Sequence, residues 1–398
     1  MSLDRLYSFQ SNLLKSVTLD FVRPLYHSIQ WKQRMFGIKG LRGVGKTTLL
    51  LQYLKFKLNG NGLYVTADHP LFYNKSLLDL AEEFEKEGGN ILLIDEIHKY
   101  PRWSSQLKNI YDGHPGLQVI FTASSVLEIQ KGEADLSRRV VSYELTGMSF
   151  REYLSLSYQY TVPPLSLEAI LKNPQTVVSK LEFPQKVLPL FKNYLKMGYF
   201  PFSENNAETN FLVKLNQVIN AVLETDLALV ENYSAGNVAK IKRLLGIIAA
   251  SVPFTPNISA IAAQMQLGRD TVNNFIVHLQ RARLLNLIFY TKRGAASLQK
   301  PDKIYLENTN LSYALHDVPD VGSLRETFFI NQLRNAGYQV TLPLSGDFLV
   351  DQKWTFEVGG KSKTQEQIRN VPNSYLAIDG IEDGYQNRIP LWLFGFLY

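Results

Sequence analysis

The stretch GLRGVGKTT, residues 40–48, decides how the first part of this chain is read. Gly40, Gly45, Lys46 and Thr47 fill the pattern G-x-x-x-x-G-K-[ST]. Each residue type has a reason to be there. Glycines let successive backbone N–H groups turn inward onto phosphate oxygens, and a helix starting at the lysine adds the positive end of its dipole. The lysine reaches the terminal phosphates and the threonine offers a hydroxyl to magnesium. The flanks supply the required context: RMFGIK (34–39) reads as a strand, and TTLLLQYLKFKL (47–58) carries apolar residues at helical spacing. Gly40, Gly43, Val44, Gly45, Lys46, Thr47 and Thr48 are therefore the expected contacts to ATP.

A second stretch, NILLIDEIHKYPRW (90–103), runs apolar up to Asp95 and Glu96. That pattern describes a buried parallel strand delivering two carboxylates to its C-terminal edge, where ligands sit in open α/β sheets. Asp95 is expected beside Thr47 on Mg2+, and Glu96 is expected to polarise the attacking water, from a strand neighbouring that of the cradle. GLYVT (62–66) reads as a further strand, and so does LQVIFTAS (117–124). Ser124, or Thr122 beside it, is placed to hydrogen-bond the water or the γ-phosphate; the alternative is an ordinary strand end. ADLSRRVVSYEL (134–145) sets Arg138 and Arg139 before another strand. One of them is a candidate to stabilise transition-state charge, and the alternative is a surface ion pair. His98 follows the carboxylates without a second histidine at ligand spacing, so a packed or capping role is expected.

LLIDEIHKYPRWSSQLKNIYDGHPGLQVIFTASSVLEI and ADLSRRVVSYELTGMSFREYL together resemble the prokaryotic AAA+ ATPases whose core is followed by a winged helix and a restriction-endonuclease-like domain. DEIHKYPRW and LTGMSFREYL carry the resemblance more specifically than the cradle does, and it extends along essentially the whole chain. It implies an α/β fold: a P-loop NTPase (AAA+) parallel-sheet domain, then a helical lid, a winged helix and a small α/β nuclease-like domain. It also implies an ATPase with Lys46, Thr47, Asp95 and Glu96 in the roles above, Ser124 at a sensor-like position and an arginine after the sensor strand.

Beyond a core at 1–150, residues 151–237 read as helices broken by proline, a lid or plain scaffold, in which KLNQVINAVLETDLAL (214–229) is amphipathic with Glu224 and Asp226 outward. Residues 238–300 begin with the helix VAKIKRLLGIIAASV. In NISAIAAQMQLGRDTVNNFIVHLQRARLLNLIFY (257–290), Asn257 or Ser259 caps a short helix and QLG turns the chain. Arg269 or Asp270 then opens a helix with Val272, Phe275, Ile276 and Leu279 as its buried stripe, and LLNLIFY follows as a strand. Helix, turn, helix, wing is the winged helix-turn-helix order. Arg269, Asn273, Asn274 and Gln280 would face DNA, with Lys240, Lys242, Arg243, Arg281, Arg283, Lys292 and Arg293 adding positive charge. Weakly specific DNA contact is one reading and a protein-contact module the other.

In residues 301–398, a helix with Glu326 precedes two strands with Asp347 and Glu357. This resembles the nuclease core in which E, D and E-x-K converge on magnesium. Gly359 stands where that lysine belongs. Lys361 lies on the same face of a regular strand about 7 Å farther on, a gap that a bulge at Gly359–Gly360 would shorten. A degenerate, DNA-holding or structural domain is expected. IPLWLFGFLY (389–398) reads as a buried edge strand.

Bulk properties agree with this layout. A chain of 398 residues exceeds one ordinary core and suggests two or three domains. Its 42 Lys and Arg against 36 Asp and Glu leave +6, which permits a polyanionic partner without requiring one. With 0 cysteines there is no disulfide, thiolate metal site or cysteine nucleophile. No apolar run approaches the roughly 20 residues of a membrane helix, and MSLDRLYSFQ lacks the form of a leader, so a cytoplasmic protein is expected. Three functions fit: an ATP-driven switch acting with DNA, a nucleotide-sensing scaffold for protein partners or a second copy of the chain, and an ATP-gated nuclease.

Overall fold

The computed structural model describes residues 3–123, 136, 138–204, 206–227, 233–291 and 300–398. The chain divides into two compact units, with the boundary between Thr146 and Gly147.

The first unit is built on five parallel strands: β1 (Met35–Lys39), β2 (Leu63–Thr66), β3 (Ile91–Asp95), β4 (Gln118–Ala123) and β5 (Val141–Glu144). Their order is β2-β3-β4-β1-β5. The expectation that the Asp95 strand neighbours the cradle strand is therefore corrected, because β4 pairs with both β1 and β3 and lies between them. Strand order follows long-range packing rather than order in the chain, and here it sets the C-terminal end of β4 between cradle and carboxylates. The central strands are buried nearly throughout, which is why ILLID and QVIFTA read as unbroken apolar runs.

Helix α1 (Leu3–Lys15) closes the β2 edge with a side chain: Gln10 Oε1 accepts the Tyr64 N–H at 2.8 Å while its Nε2 donates to the Gly62 carbonyl at 3.0 Å. An edge strand left unpaired invites association, and Gln10 satisfies part of it. Helix α2 (Lys46–Phe56) starts where Gly45 takes the left-handed region (φ +100°), and it buries Leu49, Leu50, Leu51 and Leu54. Helices α3 (Leu77–Lys86) and α4 (Trp103–Gly113) complete the core; α3 begins with a reciprocal Ser76–Asp79 capping box.

The second unit takes in all three segments expected after residue 150. Helices α5 (Phe150–Tyr158) and α6 (Val187–Met197) share an aromatic core in which Phe150 lies 5.5 Å from Phe191 and 5.7 Å from Phe396. Helix α7 (Glu208–Ala221) runs on into a π-helical turn, Val222–Leu227. There Glu224 is exposed and ion-paired with Lys242, but Asp226 is buried, which corrects its expected outward position. Residues two apart in a helical segment point to roughly opposite faces, so with Glu224 outward Asp226 turns to the interior.

Helix α8 (Ala235–Ala249) precedes α9 (Ile258–Met265), which Asn257 caps by accepting the Ala260 N–H. The turn passes through left-handed Gln266, and α10 (Arg269–Arg281) buries Val272, Phe275, Ile276 and Leu279. Strand β6 (Leu285–Ile288), shorter than LLNLIFY suggested, pairs antiparallel with β7 (Lys303–Leu306).

After α11 (Thr309–Leu315) and α12 (Val321–Asn335) come β8 (Val340–Thr341), β9 (Phe348–Val350), β10 (Trp354–Gly359), β11 (Ser374–Ile378) and β12 (Arg388–Pro390). They form a mixed sheet in the order β12-β11-β10-β9-β8. The chain's end is corrected in part: β12 is an edge strand, but Leu391–Phe396 coils into a buried 3-10 helix that packs on α12. Among the described residues no helix is long and apolar enough to cross a membrane.

Candidate functional site

The loop between β1 and α2 has the shape its sequence requires. Gly43 and Gly45 have φ of +85° and +100°, a region closed to most side chains, and a Cβ on Gly40 would stand 2.2 Å from the Leu145 carbonyl oxygen. Lys46 is buried, its Nζ donating to the Gly40 and Leu41 carbonyls at 2.8 and 2.9 Å. An ammonium held against a loop whose glycines take positive φ is a cation placed for phosphate oxygens, so the cradle fits a nucleotide polyphosphate.

Asp95 at the end of β3 is 4% exposed and gathers three hydroxyls. Thr47 Oγ1 donates to its Oδ2 at 2.7 Å, Tyr64 Oη to the same oxygen at 2.9 Å, and Thr122 Oγ1 to Oδ1. Burial and the adjacent carboxylate push the Tyr64 phenol far above its ordinary value, so it stays a donor. The Thr47 hydroxyl and the Asp95 carboxylate form an oxygen-only donor pair that suits a hard divalent cation such as Mg2+. Thr122 is fully buried and also accepts the Glu96 N–H at 2.9 Å. Its hydroxyl braces both acidic residues, which corrects its expected role facing water or phosphate. Ser124 lies outside the described residues.

Glu96 follows in the left-handed conformation (φ +52°). His98 is packed in the interior. Arg138 is exposed, while Arg139 makes a two-pronged ion pair with Asp112, Nε–Oδ1 2.9 Å and Nη2–Oδ2 3.0 Å. One residue the sequence did not disclose is Arg23. Buried, it donates from Nη1 to the Val44 carbonyl at 2.7 Å and from Nη2 to the Thr146 carbonyl at 2.8 Å, so it braces the cradle from behind. No motif announces a lone arginine whose partners are backbone carbonyls.

In the second unit, Tyr305 Oη donates to Glu326 Oε2 at 2.6 Å, and Asp347 Oδ2 accepts the Val358 N–H at 2.8 Å. Glu357 is fully buried in β10. The expected cation is corrected here. Lys361 is exposed and lies over Gly380, whereas Lys363 pairs with Glu357 and stands 3.5 Å from Asp347. The strand ends at Gly359 and the Lys363 N–H bonds the Gly360 carbonyl at 3.0 Å, so the chain folds back and extrapolation along a straight strand fails. Burial raises the Glu357 carboxyl above its usual range even against the lysine, and burial likewise raises that of Glu326. Among the described residues no three His, Asp or Glu side chains are arranged to hold a metal. Arg269 and Asn274 on α10 are exposed and Asn273 is half-buried; Lys292 and Arg293 lie outside the described residues.

Cradle, buried Asp95 and parallel sheet define a P-loop nucleotide-binding domain. Residues 32–154 match the AAA domain family, and residues 188–321 match a domain of unknown function, DUF8612. The uncharacterized protein MJ1637 of Methanocaldococcus jannaschii is 27% identical over 391 residues, covering 90% of this chain and 82% of the relative. Among solved structures, the Walker-type ATPase PABY2304 of Pyrococcus abyssi overlays with a TM-score of 0.43 at 12% identity, over 74% of this chain and 95% of that one. AMPPCP-bound DnaA from Aquifex aeolicus overlays with a TM-score of 0.26 at 17% identity, over 67% and 86%. At these scores the overlays add nothing to what the strands themselves define.

Arg23→Lys is expected to weaken ATP binding about tenfold by calorimetry, because a lysine cannot span two carbonyls as the guanidinium fork does; unchanged affinity would show that the brace does not act on the cradle. Lys363→Met should destabilise the second unit by about 1.5–3 kcal/mol at about pH 8 in urea titrations. A carboxyl whose folded pKa is raised adds stability that is present at low pH and lost as pH rises through that value, so the deficit should shrink at about pH 5. A deficit independent of pH would separate Lys363 from the Glu357 charge.

Proposed function

We propose that the chain is an AAA+ switch that binds and hydrolyses ATP with Mg2+ and couples this to DNA contact by its second unit. The hydrogen bond between Thr47 and Asp95 carries the reading, because it brings the metal-side hydroxyl of the cradle onto the strand-end carboxylate, with Glu96 next in sequence. Lys46 serves the terminal phosphates, Glu96 polarises water, and Thr47 with Asp95 would hold the cation, which supplies charge neutralisation to the phosphates when bound. Arg138 is the arginine left for transition-state charge, since Arg139 is engaged by Asp112.

For the second unit, the α9–α10 pair with its antiparallel strands supports a winged helix, with Arg269, Asn273 and Asn274 toward DNA, and residues 151–237 act as the helical lid. The terminal α/β part is read as a degenerate nuclease-like domain that holds rather than cuts, since the cation among Glu326, Asp347 and Glu357 is the chain's own Lys363.

Lys46→Ala should abolish ATP binding or weaken it severely, and Glu96→Gln should bind ATP and lose hydrolysis, as read by calorimetry and phosphate release. Normal turnover by Glu96→Gln would remove the water-polarising role. DNA affinity should fall as salt rises, and Arg269→Ala should reduce the slope of log K against log salt by about one. Salt-independent or absent DNA binding would favour a nucleotide-sensing protein scaffold instead.

A further inference from the structure

Glu96 is not a solitary carboxylate. Its backbone direction is set by the left-handed φ and by its N–H bond to Thr122, and across the short turn Ile97–Lys99 it meets the Lys99 ammonium in an ion pair. That ammonium also reaches Asp68 Oδ2 at 2.6 Å, and the Thr66 hydroxyl holds the other Asp68 oxygen at 2.5 Å. The Glu96 and Lys99 side chains are only 21% and 19% exposed, so the pair is partly sheltered, whereas Asp68 at 47% faces water.

We propose that Lys99 is a positioning residue for hydrolysis, a latch that holds Glu96 off the attacking water and is drawn aside by Asp68. This rests on the hydrolysis reading above. A carboxylate polarises water by accepting its hydrogen with a free lone pair and an uncompensated charge, and an ammonium in contact removes both. Releasing Glu96 by itself would strand the ammonium. Asp68, just past the end of β2 and fixed by Thr66, keeps Lys99 neutralised when Glu96 turns away, which makes the release less costly. Burial works against the Lys99 ammonium, yet Asp68 and Glu96 hold its pKa above the ordinary range, so it stays charged whichever carboxylate it serves.

Lys99 and Asp68 therefore act in opposite senses on the rate. Lys99→Met should raise kcat for ATP about two- to fivefold, the equivalent of about 0.4–1 kcal/mol for a partly exposed pair, with KM unchanged. Asp68→Asn should lower kcat by a similar factor, since Lys99 then rests on Glu96 alone. The double variant should match Lys99→Met, and Lys99→Arg should stay near wild type. Lys99→Gln and Asp68→Asn serve the same comparison if Lys99→Met does not fold. A kcat at or below wild type in Lys99→Met or Lys99→Gln overturns the latch, as does a rise in Asp68→Asn or simple additivity in the double variant. If wild type and variants bind and hydrolyse ATP but this order fails, only the latch falls. If none takes up ATP, the nucleotide reading falls and the latch with it.

Discussion

The structure of the first unit turns on one buried negative charge. Asp95 sits at the C-terminal edge of the sheet almost without solvent, a position that is unfavourable for a carboxylate unless hydrogen bonds replace the lost water. Thr47, Tyr64 and Thr122 replace it with hydroxyls, one from the helix after the cradle and two from strands on either side of β3. Because the three donors come from three elements, the carboxylate also ties those elements together. A shift of α2, β2 or β4 would leave a buried oxygen short of a partner, and such losses cost about 1–3 kcal/mol each.

Uncharged amides and phenols hold much of the second unit's polar interior, beside buried Glu357 and its partner Lys363. Tyr194 donates to the Met148 carbonyl at 2.7 Å and receives Gln332 at 3.0 Å; Asn310 bonds the Tyr199 N–H and the Leu195 carbonyl; Asn331 donates to the Glu307 carbonyl at 2.8 Å. Amides and phenols supply both donors and acceptors, so α6, α11 and α12 can be fixed in register inside a largely aromatic core. Burial raises the Tyr194 phenol well above its ordinary value, so it stays a donor in these bonds.

What the sequence disclosed and what it hid follow one physical division. The cradle, the strand ending in Asp95 and Glu96, and the apolar stripe of α10 were legible because phosphate chemistry or local periodicity prescribes residue types at fixed spacing. Strand order was not, since β4 reaches its place between β1 and β3 through packing that no local window contains. Arg23 was hidden because backbone carbonyls have no sequence signature. Lys363 was hidden because a turn at Gly360, rather than spacing along a strand, decides which lysine returns to Glu357. Thr122 was noticed, but its direction was misjudged: a fully buried hydroxyl next to a carboxylate is claimed by that carboxylate first.

The two acidic centres show how a chain decides whether a carboxylate is to meet a cation from solution. At Asp95 the compensation is by hydroxyls, which satisfy the charge by dipoles and leave its net value intact. In the proposed function, a divalent ion would then meet a carboxylate held by dipoles in a sheltered place. At Glu357 the compensation is an ammonium from the same chain, which cancels the charge itself. An ion entering there would first have to displace Lys363, losing one pair to form another, so the gain is small. Neutral donors around one carboxylate and a lysine against the other thus give similar acidic residues different surroundings, and the proposed use of each as a cation site or as part of the fold rests on that difference.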